Sequence, residues 1–315
     1  MNLPSPPDLI TRLQAAGPAL GAIAPGRLAP TLDEALATRL ELDRATRDRL
    51  VIFDPSSAPL IRPLVTAADL RPWRAAAAGR WIVAVPADRA ADLAARHPAL
   101  ARHLAELEPP PAHAGAEPWW ALPPALAAPA ASPRLIVGTT VAWDESAALV
   151  GGPGTLVAPA EPYWLALLGS RLGAALLTSL DVAAFPVPAA EGPARANLEG
   201  LALAAAELAA QIDELERAVL RRLVADFGPP GVAPGPELRR WWELSFEQLH
   251  AAVLGELRND IPERFRPVWA EIHADQRATH AEARTRLGGL QAAVDAQVVA
   301  LFGLSGDEAR LVGGR

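Results

Sequence analysis

His273 and His280 lie seven residues apart in a stretch whose apolar spacing predicts one helix. Seven residues make about two turns, so both imidazoles share a face, and a helical metal site could start this way. No third ligand accompanies them. They are therefore read as solvated residues or as residues at the edge of a helix seam. His97, His103 and His113 have no metal spacing either. The segment "GGPGTL" at 151–156 looks like a glycine-rich cofactor loop, but such a loop joins a strand to a helix. Here a strand-like run follows, which predicts a hairpin turn. A phosphate-cradling loop of the Walker type needs a lysine, and the chain has none, its basic side chains being 29 arginines beside six histidines. A nuclease core of two acids and a lysine fails for the same reason. Without cysteine there is no disulfide, thiolate metal site or cysteine nucleophile. No G-x-S-x-G elbow is present. Amino-methyltransferases hold their target base with an Asn/Asp-Pro-Pro-aromatic tetrapeptide. The only asparagines are Asn2, Asn197 and Asn259. "SPPD" at 5–8 and "EPPP" at 108–111 lack both the Asn/Asp opening and the aromatic. The chain is expected to carry no catalytic residue, metal or cofactor of its own, and not to be an enzyme by itself.

The elements around these residues change character near residue 190. A short helix is predicted at 8–16, and helix or strand plus helix over 33–50. "LIRPL" and "RWIVAVP" are apolar runs of strand type. Residues 88–107 read as helix broken at Pro98, and 108–133 as an irregular Pro- and Ala-rich segment interrupted by "EPWWAL". "RLIVGTTVAW" and "GTLVAP" read as two strands. The leucine-rich helix "PYWLALL" and the strand "FPVP" follow. Beyond that, one long helix is predicted to end at Gly228, with an a/d seam of Leu201, Ala205, Leu208, Ile212, Leu215 and Val219. A last helix over 267–302 has the seam Ala283, Leu287, Leu290, Val294, Val298 and Leu301. Two such helices suggest an antiparallel hairpin. The expected class is α+β: a mixed α/β domain over 1–192, then a long-helix, hairpin-like helical domain over 193–315.

The chain has 315 residues and a net charge of -7. Residues 1–190 hold 15 arginines against 17 acids, and residues 191–315 hold 14 against 19. Neither half is a general polyanion binder, because non-specific grip on nucleic acid needs excess positive charge. "MNLPSPPDLI" has neither a basic n-region nor an apolar h-region, and no apolar run reaches membrane-spanning length, so a cytoplasmic protein without membrane contact is expected.

The order of segments resembles the C-terminal target-recognition (specificity) domain of type IIG restriction–modification enzymes, the TaqI-like group. In that group an adenine-specific DNA methyltransferase domain precedes it. The similarity covers nearly the whole chain. In "LELDRATRDRLVIFDPSSAPLIRPLVTAADLRPW", residues 40–73, the matching positions are Asp54-Pro55, Ser57, Ile61, Pro63, Asp69-Leu70 and Trp73. "RWIVAVP" is similar to the following strand, and "EPWWAL" at 117–122 to a Pro-Trp-Tyr-x-Leu element. "SPRLIVGTT" at 132–140 is similar to a Pro-Lys-Ile strand, with Arg134 in place of the lysine. "PYWLALLGSRL" resembles a helix carrying Leu-Asn-Ser-Lys/Arg-Leu, and "LQAAVDAQVVALFGLSGDEARLV" the family's ending. Some positions depart from the pattern. "PTLDEALA" replaces a Gly-Ile-Lys-Thr-Gly loop, Thr66-Ala67-Ala68 a basic-Gly-basic tripeptide, and Gly169 the asparagine of Leu-Asn-Ser. The methyltransferase half is missing.

The resemblance implies double-stranded DNA as one partner and a DNA methyltransferase or restriction subunit as another. S-adenosylmethionine would then belong to that subunit. Recognition domains position themselves on phosphates and read base edges, and arginine's planar fork suits both. The candidate contacts are Arg62, Arg71, Arg74, Arg134 and Arg171, with Thr139, Thr140 and Ser170 as short donors. Trp73 belongs to the same set, and Trp119 and Trp120 would stack on a base or wall the cleft. The implied function is a non-catalytic DNA-specificity protein of a restriction–modification or phage-defence system. The alternative is a scaffold derived from such a domain that no longer reads DNA.

Overall fold

The computed structural model describes residues 6–76, 79–115, 118–127, 132–146, 148–229 and 231–313. They form an α+β fold with a long C-terminal helical region. Two compact units can be separated, Met1–Ala206 with Ala293–Arg315, and Glu207–Ala292. Among the described residues no helix is long and apolar enough to cross a membrane.

The first unit contains the strands β1 (Leu28–Pro30), β2 (Glu41–Leu42), β3 (Ile61–Thr66), β4 (Leu70–Arg71), β5 (Trp73–Ala75), β6 (Arg80–Val83), β7 (Val85–Pro86), β8 (Ala121–Leu122), β9 (Arg134–Val137), β10 (Val141–Asp144), β11 (Leu149–Gly151) and β12 (Thr155–Val157). They make a six-stranded sheet in the order β1-β12-β9-β10-β5-β4, a four-stranded sheet in the order β11-β3-β6-β2, and the parallel pair β7-β8. Leu70, Ala75, Ile136, Ala142 and Leu156 of the larger sheet share one core with Val65 and Val150 of the smaller. A second core, around Leu42, Leu64, Ile82 and Leu149, is covered by the helices Glu34–Leu40 and Pro98–Ala105.

Local signals explain many of the boundaries. Asp33 and Asp43 accept hydrogen bonds from the amides of Leu36 and Thr46, starting the helices Glu34–Leu40 and Arg44–Phe53. The helical stretch near residue 98 breaks at His97, and Pro98 opens the next helix. Helix Pro162–Gly169 buries every residue from Tyr163 to Leu168, so it reads as apolar on all sides, as a core helix should.

Three strand expectations change. "RLIVGTTVAW" is a hairpin, β9 paired antiparallel with β10 about the tip Gly138-Thr139-Thr140, rather than one strand. "GGPGTL" is no hairpin turn. β11 belongs to the four-stranded sheet and β12 to the six-stranded one, so the segment carries the chain between sheets. The Thr31 hydroxyl secures it by donating to the carbonyls of Gly152 and, at 3.1 Å, of Gly154. "FPVP" forms only an isolated bridge from Pro186 to Ala19, because its prolines have no N–H to extend a ladder.

In the second unit, Trp241 is fully buried among Leu223, Leu238, Val253 and Leu257. Ser245 and Gln248 close a reciprocal cap on helix Phe246–Leu257. The long helices Gly192–Phe227 and Arg266–Leu301 run antiparallel here: the Phe227 and Trp269 rings lie 5.1 Å apart, and Glu216 meets His280 at 2.9 Å. Of the expected seam on the first of these helices, Ala205, Leu208 and Ile212 are buried, whereas Leu201, Leu215 and Val219 are half-buried. Ala202, Ala209, Leu223 and Phe227 take inward positions instead. A straight α-helix of 3.6 residues per turn drifts about 20° per heptad away from a strict 3.5 repeat, which turns an a/d stripe gradually out of the seam. His273 and His280 are seam residues rather than solvated ones, only 4% and 5% exposed.

Candidate nucleic-acid interface

Strand pairing brings several predicted residues to one end of the six-stranded sheet. β5 runs parallel to β10, with Trp73 opposite Ala142 and Arg74 opposite Trp143. The β4–β5 turn and the β9–β10 tip therefore lie at the same end. The approach is close, since a Cβ built on Gly138 would stand 3.5 Å from Leu70 Cδ1. At the tip Thr139 is exposed and Thr140 half-exposed, and the Gly138 amide donates to the Thr140 carbonyl.

The β4–β5 turn itself is Pro72-Trp73, between the directly opposed Arg71 and Arg74. Trp73 has φ 74°, the sign a type II turn requires at its third residue, where glycine is usual. A bulky residue there is strained. Burial holds it in place: Trp73 is 2% exposed, and its indole lies against Gly169, at the end of helix Pro162–Gly169. Trp73 is thus a packing residue, not a free stacking plate.

The junction that follows Gly169 has a local cause. Ser170 is fully buried, accepts from the Gly173 amide at 2.9 Å and donates to the Leu167 carbonyl at 2.7 Å. Its hydroxyl ends one helix and caps the next, Arg171–Leu177, which explains the Gly-Ser-Arg interruption. Ser170 therefore has an internal role in place of the expected surface contact. Arg171 stays at the surface with its side chain 81% exposed, beside Asp295 at 3.5 Å.

Arg134 is also internal. It is 2% exposed, donates to Asp144 through Nε at 2.8 Å and Nη2 at 2.6 Å, and donates to the Ala148 carbonyl. Asp144 in turn accepts from the Ser146 amide and hydroxyl. A guanidinium so enclosed cannot reach a base, and an unpaired charge there would be costly, so the ion pair is structural. A hairpin about Gly138-Thr139-Thr140 places Arg134 opposite Asp144, so the position of the tip fixes this pairing.

The remaining candidates gather elsewhere. Arg62, on β3 of the smaller sheet, is half-buried and donates to the Ala127 carbonyl at 3.1 Å. Burial and the charge of Arg134 push its guanidinium below the ordinary arginine value. Trp119 and Trp120 are half-buried and pack on the core of that sheet. Glu117, the first residue of "EPWWAL", lies outside the described residues. Thr66, where a basic-Gly-basic tripeptide would begin, instead forms a cap with Asp69, to which Arg80 is paired. Among the described residues no group of three or more histidines and carboxylates is placed to hold a metal ion.

Residues 192–298 match the model of a domain of unknown function, DUF8810. No curated protein matches the chain. In fold, the chain is similar to the Type IIL restriction-modification enzyme MmeI, solved in complex with DNA, with a TM-score of 0.50 and 10% identity. That match covers 90% of this chain and 34% of the enzyme's, so the chain spans about a third of the enzyme's length. At this identity the likeness is one of fold.

Proposed function

We propose that the chain is the non-catalytic DNA sequence-recognition part of a type IIG-like restriction–modification or phage-defence system. It grips double-stranded DNA with the loop end of its six-stranded sheet. A separate adenine-N6 methyltransferase/nuclease performs the chemistry and holds S-adenosylmethionine. The observation that carries this reading is the convergence at that end of exposed Arg71 and Thr139 with half-exposed Arg74 and Thr140. Trp73 links them to the helix junction that ends in Arg171. The fold likeness to a restriction–modification enzyme that was solved on DNA supports it. Arginine forks and threonine hydroxyls on loops are suitable donors for phosphates and base edges.

The test is selection of bound duplexes from a randomised pool at low and physiological salt, with the full chain alone and with a cognate methyltransferase. An enriched motif is the expected result. The second reading, a protein-interaction scaffold, is favoured by the net charge of -7 and by Ile52 and Phe53, which are 75% and 76% exposed at a helix end. Absence of enrichment from a folded chain would overturn the DNA-reading proposal and leave the scaffold reading.

A further inference from the structure

Arg71 and Arg74 face each other across the β4–β5 hairpin, on the edge strand of the six-stranded sheet and its neighbour. Directly opposed residues of an antiparallel pair point to the same side, and like charges there repel. Carboxylates are not scarce, since the chain has 36 against 29 arginines. Several arginines of this unit use them: Arg80 has Asp69, Arg134 has Asp144, and Arg195 has both Glu161 and Glu199. Among the described residues no carboxylate lies within ion-pair distance of Arg71 or Arg74. The hairpin keeps the two residues opposite each other. Its turn is fixed by Pro72 and by the buried, strained Trp73 pressed on Gly169.

Two arginines set opposite each other without a carboxylate partner offer an anion a pair of guanidinium groups. A guanine edge can be read by one arginine alone. Being uncharged, it would not neutralise the pair. A phosphodiester carries a negative charge and two free oxygens, one for each arginine, and makes charge-assisted hydrogen bonds to both. We infer that Arg71 and Arg74 form a clamp for one backbone phosphate of the duplex, positioning the DNA without reading its sequence. This rests on the function proposed above and divides its labour: sequence reading falls to other groups at the same end of the sheet.

The experiment measures duplex binding by the full chain against salt concentration. The variants are R71A, R74A, R71A/R74A and the charge-keeping R71K/R74K, and the duplexes are a preferred and a scrambled sequence. The clamp predicts that each alanine weakens both duplexes by the same factor. It also predicts a log–log salt slope that flattens in R71A/R74A by about 0.9, the value for one lost phosphate contact, while R71K/R74K keeps most of the slope. An unchanged slope in R71A/R74A, or a loss confined to one base pair of the preferred site, overturns the clamp and leaves DNA recognition standing. If the unsubstituted chain binds no duplex at any salt concentration, the proposed function fails and the clamp with it. Titration with inorganic phosphate separates the two sources of the anion. Binding heat that vanishes in R71A/R74A, together with unaltered duplex binding by that variant, would mark a free-phosphate site and overturn the backbone assignment.

Discussion

The indole of Trp73 lies so close to Gly169 that a methyl group there would stand 3.0 Å from Cζ3 and 3.2 Å from Cη2 of the ring. A strained turn and a bare helix end thus depend on each other. The turn places a large ring where the helix has no side chain, and the ring keeps the turn in its unusual φ.

Gly169→Ala is expected to destabilise the first unit by about 1–3 kcal/mol, the usual cost of overpacking. Alanine's better helix propensity, worth roughly 1 kcal/mol, offsets only part of this, because the buried indole must shift to admit the methyl group. Gly169→Asn should cost more. Denaturant unfolding followed by tryptophan fluorescence checks both.

Trp73→Ala keeps a side chain at positive φ and loses the ring, so it is expected to cost about 3–5 kcal/mol. Trp73→Gly loses the same ring but relaxes the backbone. It should therefore be less destabilising than Trp73→Ala, against the usual order for these residues. Equal or reversed stabilities would show that the turn stores no strain.

Arg134→Met leaves Asp144 buried and charged, for an expected loss of about 3–5 kcal/mol. Adding Asp144→Asn removes the charge and keeps the oxygen that accepts from Ser146. The double variant should recover part of the stability. If Arg134 touched DNA, R134M would alter binding more than folding, and thermal melts beside duplex titrations separate the two.

Ser170→Ala removes a helix cap and should cost about 1 kcal/mol. Duplex affinity and its salt slope are expected to stay unchanged, since Ser170 is fully buried.

The helical unit should lose stability as the pH falls. His273 donates from Nε2 to the Trp241 carbonyl at 3.1 Å, and burial, more than the nearby Arg277, holds its pKa below the ordinary 6.5. The folded state therefore disfavours the proton relative to the unfolded chain. His273 has no destabilising effect well above pH 6.5, and its penalty grows as the pH drops from there towards the folded pKa. His273→Gln keeps a donor for the carbonyl without a titrating ring. Thermal midpoints by circular dichroism should fall more steeply from pH 7.5 to 5 in the unsubstituted chain than in this variant.

The sequence alone determined the features that depend on neighbours along the chain. The period of the apolar residues marks the long helices, Gly228 marks the end of the first of them, and Pro98 marks a break between two shorter ones. It also determined that lysine- and cysteine-dependent chemistry is absent. Only the tertiary structure decided which arginines face solvent. Arg134 and Arg71 look alike in sequence, but one meets Asp144 across a hairpin and the other meets Arg74. Nor does the sequence show that β11 and β12 part into different sheets, or that Trp73 rests on a glycine far along the chain. Periodicity and capping are settled by contacts a few residues apart. Pairing of strands, burial of charge and a strained φ are settled by partners brought together only when the chain has folded.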